Sequence, residues 1–161
     1  MKKILFTIVL SFCCAISVFS QDTIREGNLI YVRDHRGIVQ SLSSTKIEKE
    51  SCVEAYITGL PWDKKELNNL LYKTIFSKSR ATELGKSKYV IRCTLNFDVI
   101  KKQLCFVSFN VGKEKLLLTL DELKRIEDKF KAVKYNYFIK CDAKIAQFTQ
   151  ITGWLDFTNL Y

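Results

Sequence analysis

The sequence predicts an α+β fold: an antiparallel sheet of four to six strands with two helices packed on one face, in the order β-β-β-α-β-β-α-β-β. Three observations carry this. Tyr89, Ile91, Cys93, Leu95 and Phe97 fall on one side of a stretch whose other side holds Arg92, Thr94 and Asn96, the period-two pattern of a strand with one wet face. Thr119 and Glu122 have the spacing of a capping box, and Leu123, Ile126, Phe130 and Val133 then recur at helical intervals. Beyond the first twenty residues the chain has no repeat, low-complexity tract or Gly/Ser-rich linker, and its single proline is Pro61. Residues 21–161 are therefore expected to form one α+β domain.

The N-terminus reads as a signal peptide over residues 1–20. Met1-Lys2-Lys3 supplies a basic start, Ile4 to Phe19 an uncharged and mostly apolar run, and Val18-Phe19-Ser20 the small residues before a cleavage point. The run is shorter than the ~20 apolar residues a membrane span needs, so no stable span is expected after cleavage. Leu10-Ser11-Phe12-Cys13 has part of a lipobox, but Phe12 stands where a small residue is required, which argues against anchoring at Cys13. The expected location is the periplasm or the cell exterior.

The elements follow in order. Asn28 to Arg33 is a short strand, Asp34-His35-Arg36-Gly37 a turn, and Ile38 to Leu42 the return strand. Residues 43–50 are polar and charged, as in a loop, and Cys52 to Ile57 is rich in strand formers. Asp63 and Glu66 open a helix that uses Leu67, Leu70, Leu71 and Ile75 for its apolar face. It ends at Gly85, with a break expected near Ser77. Tyr89 to Phe97 and Leu104 to Val111 form a hairpin with Lys101-Lys102 at its tip, where lysines resist edge pairing. After the second helix, Tyr135 to Cys141 is a strand, and one or two more lie between Ile145 and Tyr161.

Helix, hairpin, helix, strand is also the order of the C-terminal domain of TonB-like energy transducers. Leu95-Asn96-Phe97-Asp98 answered by Cys105-Phe106-Val107-Ser108-Phe109 resembles that family's hairpin, and Leu118 to Leu123 resembles the helix start that follows it. Small exported proteins of Bacteroidetes-type bacteria share this look. The resemblance spans about residues 52–141 and implies a fold and a protein-binding surface. The family's Pro-rich spacer is missing, and Leu60-Pro61-Trp62 stands where its Tyr-Pro element belongs. The transducer's activity is therefore not implied, since fold alone does not carry function.

The formal charge is +9, and loss of residues 1–20 removes Lys2, Lys3 and no acid. The basic residues are spread along the chain among acids, the pattern of a solvated surface, and nucleic-acid binding is not expected. Cys52, Cys93, Cys105 and Cys141 permit disulfides in an oxidising compartment. Three of them fall within apolar strand patterns, where a thiol packs as a small hydrophobe.

No catalytic, metal or cofactor site is expected. His35 is the only histidine and lies in a polar turn; no C-x-x-C or phosphate-cradling glycine loop is present. Asp121 with Glu122, Glu127 with Asp128, and Glu48 with Glu50 are acid pairs better explained by helix ends and polar faces. What stands out is aromatic residues: Tyr135, Tyr137, Phe138, Phe148, Trp154, Phe157 and Tyr161 crowd the C-terminal quarter, and Trp62 adjoins Pro61. Packing in the core and across the sheet is the plainer reading of these rings; should some be exposed, Trp62, Tyr135, Tyr137 and Trp154 are the candidate interaction residues. The expected function is that of a non-enzymatic module contacting a protein of the cell envelope through a residual apolar patch. The alternative is a module for a glycan or another extended ligand, using the C-terminal rings with Lys140, Lys144 and Gln147.

Overall fold

A computed structural model describes residues 21–43, 50–51, 55–112, 114–139 and 147–158. The strands are β1 (Asp22–Glu26), β2 (Leu29–Arg33), β3 (Ile38–Ser41), β4 (Glu50–Ser51), β5 (Ala55–Thr58), β6 (Val90–Asp98), β7 (Gln103–Asn110), β8 (Asn136–Ile139) and β9 (Gln147–Asp156). Helix α1 comprises Lys64–Leu67, a π turn over Asn68–Tyr72 and Lys73–Ile75; α2 is Lys78–Lys86 and α3 is Leu120–Lys131.

The fold is α+β, with a larger sheet than expected. Seven strands lie in the order β1-β2-β3-β7-β6-β9-β4; all pairings are antiparallel except that of β4 with β9. β1 escapes prediction because its sequence, DTIRE, turns only Ile24 partly inward and leaves the rest exposed. The strand after the second helix also departs from expectation. β8 does not join the main sheet but pairs with β5 in a separate two-stranded ribbon, Tyr56 opposite Phe138 and Ile57 opposite Tyr137. Among the described residues there are three helices, because the first of the two expected is divided near Ser77, where its sequence allows a break. Phe76 turns extended (φ −103°, ψ 136°), and the Ser77 side chain accepts from the Arg80 amide to start α2.

Two turns form as their residues require. Asp34 Oδ1 accepts from the Arg36 and Ile38 amides, both at 2.9 Å, closing the β2–β3 turn. Gly37 follows at φ +80°, so near the next loop that a Cβ there would stand 1.9 Å from the Gly112 carbonyl oxygen; only glycine meets both conditions. In the β6–β7 hairpin, Asp98 accepts from the Ile100 and Lys101 amides, and Lys101 and Lys102 occupy the exposed turn.

One face of the sheet is the core. Ile91, Cys93, Leu95 and Phe97 of β6, Val107 and Phe109 of β7, Val39, Tyr31 and Leu155 are buried there against Leu123, Ile126 and Phe130 of α3 and Leu67, Leu71 and Ile75 of α1. The capping box of α3 is complete. Its Glu122 also receives Arg80 of α2 at 2.8 and 3.0 Å, tying the two helices together. Burial of apolar surface supplies most of the driving force, and the cap and ion pair fix where the helices end.

Candidate binding face

Strand alternation puts a different set of side chains on the other face of the large sheet. The register aligns Gln40 of β3, Ser108 of β7, Thr94 of β6 and Thr152 of β9 in one row. The next row toward the sheet's end holds Ile38, Asn110, Arg92 and Trp154; on the other side Asn96 stands beside Gln150. Val90, Arg92, Gln150, Thr152, Trp154 and Asp156 are exposed. Nearer the hairpin turn the same face is closed: Asn96, Asp98, Phe106 and Phe148 are buried.

Hydrogen bonds hold the polar rows in place. Gln150 Nε2 donates to Asn96 Oδ1 at 2.8 Å, Asn96 Nδ2 to the Thr94 carbonyl at 3.2 Å, and the Thr94 and Thr152 hydroxyls lie 3.0 Å apart. A hollow of about 380 Å³ opens over them, with the Asn, Gln, Ser and Thr side chains as its polar wall and Val32 and Ile38 as its apolar part. At its rim Arg36 bonds Asp34 at 3.0 Å. Burial works against the Asp34 charge, but hydrogen bonds from the Ile38 and Arg36 amides and from the Arg36 guanidinium hold its carboxyl below the usual range. A second hollow of about 270 Å³ adjoins Arg92 and Trp154. There the Arg92 guanidinium sits 4.9 Å from the centroid of the Trp154 ring, a cation–π contact, and 57% of Trp154 stays exposed.

The candidate residues do not come together. Trp62 is half-buried and packs inward, 5.5 Å from Phe130, with its ring over Gly153. Its Nε1 is buried with no hydrogen-bond partner among the described residues. Tyr135 and Tyr137 line the inner side of the ribbon with their rings 4.9 and 6.1 Å from Phe97, and Tyr135 Oη donates to the Phe130 carbonyl at 2.8 Å. Burial pushes both phenols up. Of the four, Trp154 alone stands on the open face. Tyr56 and Phe138, 66% and 59% exposed, form a cross-strand pair on the ribbon. Sequence reasoning missed Gln40, Ser108 and Gln150. The alternation that set Arg92, Thr94 and Asn96 on the wet side of β6 was the signal, and strand register was needed to extend it to the neighbours.

The acids considered for chemistry are engaged elsewhere. Glu122 holds Arg80 and the Thr119 amide, the buried Glu127 pairs with Lys131 at 2.6 Å, Asp128 pairs with Lys124, and Asp121 lies 4.0 Å from Arg125. Desolvation opposes ionisation of Glu122, yet the Arg80 hydrogen bonds outweigh it and keep the carboxyl below its ordinary range. His35 is exposed in its turn. Among the described residues, no three of His, Cys, Asp and Glu are placed to hold a metal ion. Cys93 and Cys105 are free thiols, and burial raises both. Cys52, Cys141, Cys13, Glu48, Lys140 and Lys144, and the signal-peptide reading of residues 1–20, lie outside the described residues, as do the side chains of Glu50 and Gln147. Among the described residues no helix is long and apolar enough to cross a membrane.

A scan against protein-family models returns no match, and neither does a comparison with curated proteins. Among solved structures the chain is similar to a DUF5043 family protein from Bacteroides uniformis ATCC 8492, with 16% identity over 85% of each chain and a TM-score of 0.55. That neighbour provides a link to the Bacteroidetes; it does not speak to the resemblance with transducer C-terminal domains. At this identity the likeness shows the fold: an α+β architecture shared with a protein from a Bacteroides species.

Proposed function

We propose that this chain is an exported, non-enzymatic binding module of the periplasm or cell surface, and that its working surface is the open face of the seven-stranded sheet. The observation that carries this is the hydrogen-bonded row of Thr94, Thr152, Asn96 and Gln150 ending at the exposed Trp154. Polar side chains held in place on a rigid sheet, beside a large ring left in water, are what a recognition surface needs. The carboxylates engaged in ion pairs and helix caps support a binding role over acid–base chemistry. Export rests on the N-terminal leader.

A second reading has its own observation. The Tyr56–Phe138 pair gives the ribbon an exposed aromatic patch suited to a protein partner, the role the sequence favoured. One experiment separates the two: retention of the protein on its host's sedimented envelope fraction. Thr152→Lys is expected to abolish retention and Tyr56→Ser to leave it intact. The reverse pattern would give the function to the ribbon.

A further inference from the structure

We infer that the open face binds a neutral glycan chain, laid along β9 from Gln150 through Thr152 to Trp154. This deepens the proposed binding role and rests on it. The argument starts with charge. The protein is strongly basic, with a net charge of +9, but the larger hollow is not. Its ionised side chains, Asp34 and Arg36, pair at 3.0 Å and neutralise each other. Among the described side chains that line this hollow an anionic ligand would find no unpaired cation; Arg92, beside Trp154, lies outside it. The remaining polar lining is amide and hydroxyl: Gln21, Gln40, Ser108, Thr94 and Gln150, with the buried Asn96 behind them.

Such groups both donate and accept, as the hydroxyls of a sugar do. The Gln150–Asn96 bond orients both amides, and Gln150 itself is exposed. Little orienting entropy remains to be lost on binding. Ile38, half-buried, adds apolar surface for the C–H groups of a sugar ring. Trp154 supplies the other half of the chemistry, since an exposed indole can cover the apolar side of a pyranose while its surroundings stay wet. Arg92 steadies that ring by its cation–π contact.

The spacing calls for a chain of sugars. Gln150, Thr152 and Trp154 are alternate residues of one strand, about 7 Å apart per step, so the row runs about 14 Å. A protein partner fits this face less well, since the core of a protein interface is apolar and low in charge, whereas here Trp154 and Val90 stand among the exposed Arg92, Gln150, Thr152 and Asp156.

The test is titration of the exported protein with maltoheptaose, cellohexaose, xylohexaose, mannohexaose and chitohexaose, with oligogalacturonate as the anionic comparison, followed by calorimetry and tryptophan fluorescence. At least one neutral oligosaccharide should bind and change the emission. Trp154→Ala should weaken that binding about tenfold, and Gln150→Ala should weaken it in protein that is still folded at the assay temperature, with a lower unfolding midpoint because the buried Asn96 Oδ1 loses its donor. Tyr56→Ser should have no effect. Binding of oligogalacturonate alone would overturn the inference, as would neutral binding that survives both open-face substitutions. If no oligosaccharide binds but Thr152→Lys still abolishes retention on the envelope fraction, the glycan fails and the binding face stands. If Thr152→Lys also leaves retention intact, both fail.

Discussion

At Gly153 the absence of a side chain makes room for Trp62. A Cβ there would lie 2.6 Å from three atoms of the indole, which is itself backed by Phe130 at 5.5 Å. Gly153→Ala must therefore push the ring aside, and urea unfolding should show a loss of about 2 kcal/mol, the scale of overpacking in a closed site. Gly37→Ala should cost more. Its Cβ would meet the Gly112 carbonyl at 1.9 Å at φ +80°, and backbone yields less readily than a side chain. These contacts also mark where sequence reasoning stopped for single residues. Trp62 beside Pro61 is the sequence's best candidate for an exposed anchor although burial suits it better, and Gly153 of β9 shows where the ring has its seat inside. Trp154 is as apolar on paper, yet its place opposite Arg92 puts it on the wet side.

Among the elements, α3 was the most legible because its signals are local. Thr119 caps, Glu122 completes the box, and the apolar face follows at regular spacing. Thr119→Ala should lower stability by about 1 kcal/mol in the same urea assay. The link from Glu122 to Arg80, 42 residues away in sequence, was not legible, and it gives the helix pair a pH dependence. The folded state holds Glu122 below its ordinary pKa, so the unfolded chain binds more protons as the solution turns acidic. Stability from this contact is complete above the ordinary carboxylate range and is lost as pH falls through the folded value. Thermal unfolding across that range should decline more gently in Glu122→Gln than in the parent; an identical slope would remove Glu122 from the explanation. The ribbon was the least legible element. β5 and β8 both look like ordinary strands, and nothing local reveals that they pair with each other and not with the hairpin.

For the molecule as a whole, the α+β class and the hairpin with its lysine tip follow from alternation and turn residues, which act over short distances. Strand order does not. β1 joins the sheet although only Ile24 turns partly inward, and β9 reaches across to pair with β6 along its full length. The binding face depends on that order, because Gln40, Ser108, Thr94 and Thr152 share a row only when β3, β7, β6 and β9 are neighbours. Composition alone could not place it: the basic total suggests attraction to anions, while the hollow over the sheet is balanced. Amide chemical shifts of residues 21–161, recorded as solubilised envelope material is added, test the central claim most directly. The changes should gather on residues 92–96, 108–110 and 150–154. Changes confined to residues 55–58 and 136–139, or none at all, would contradict it.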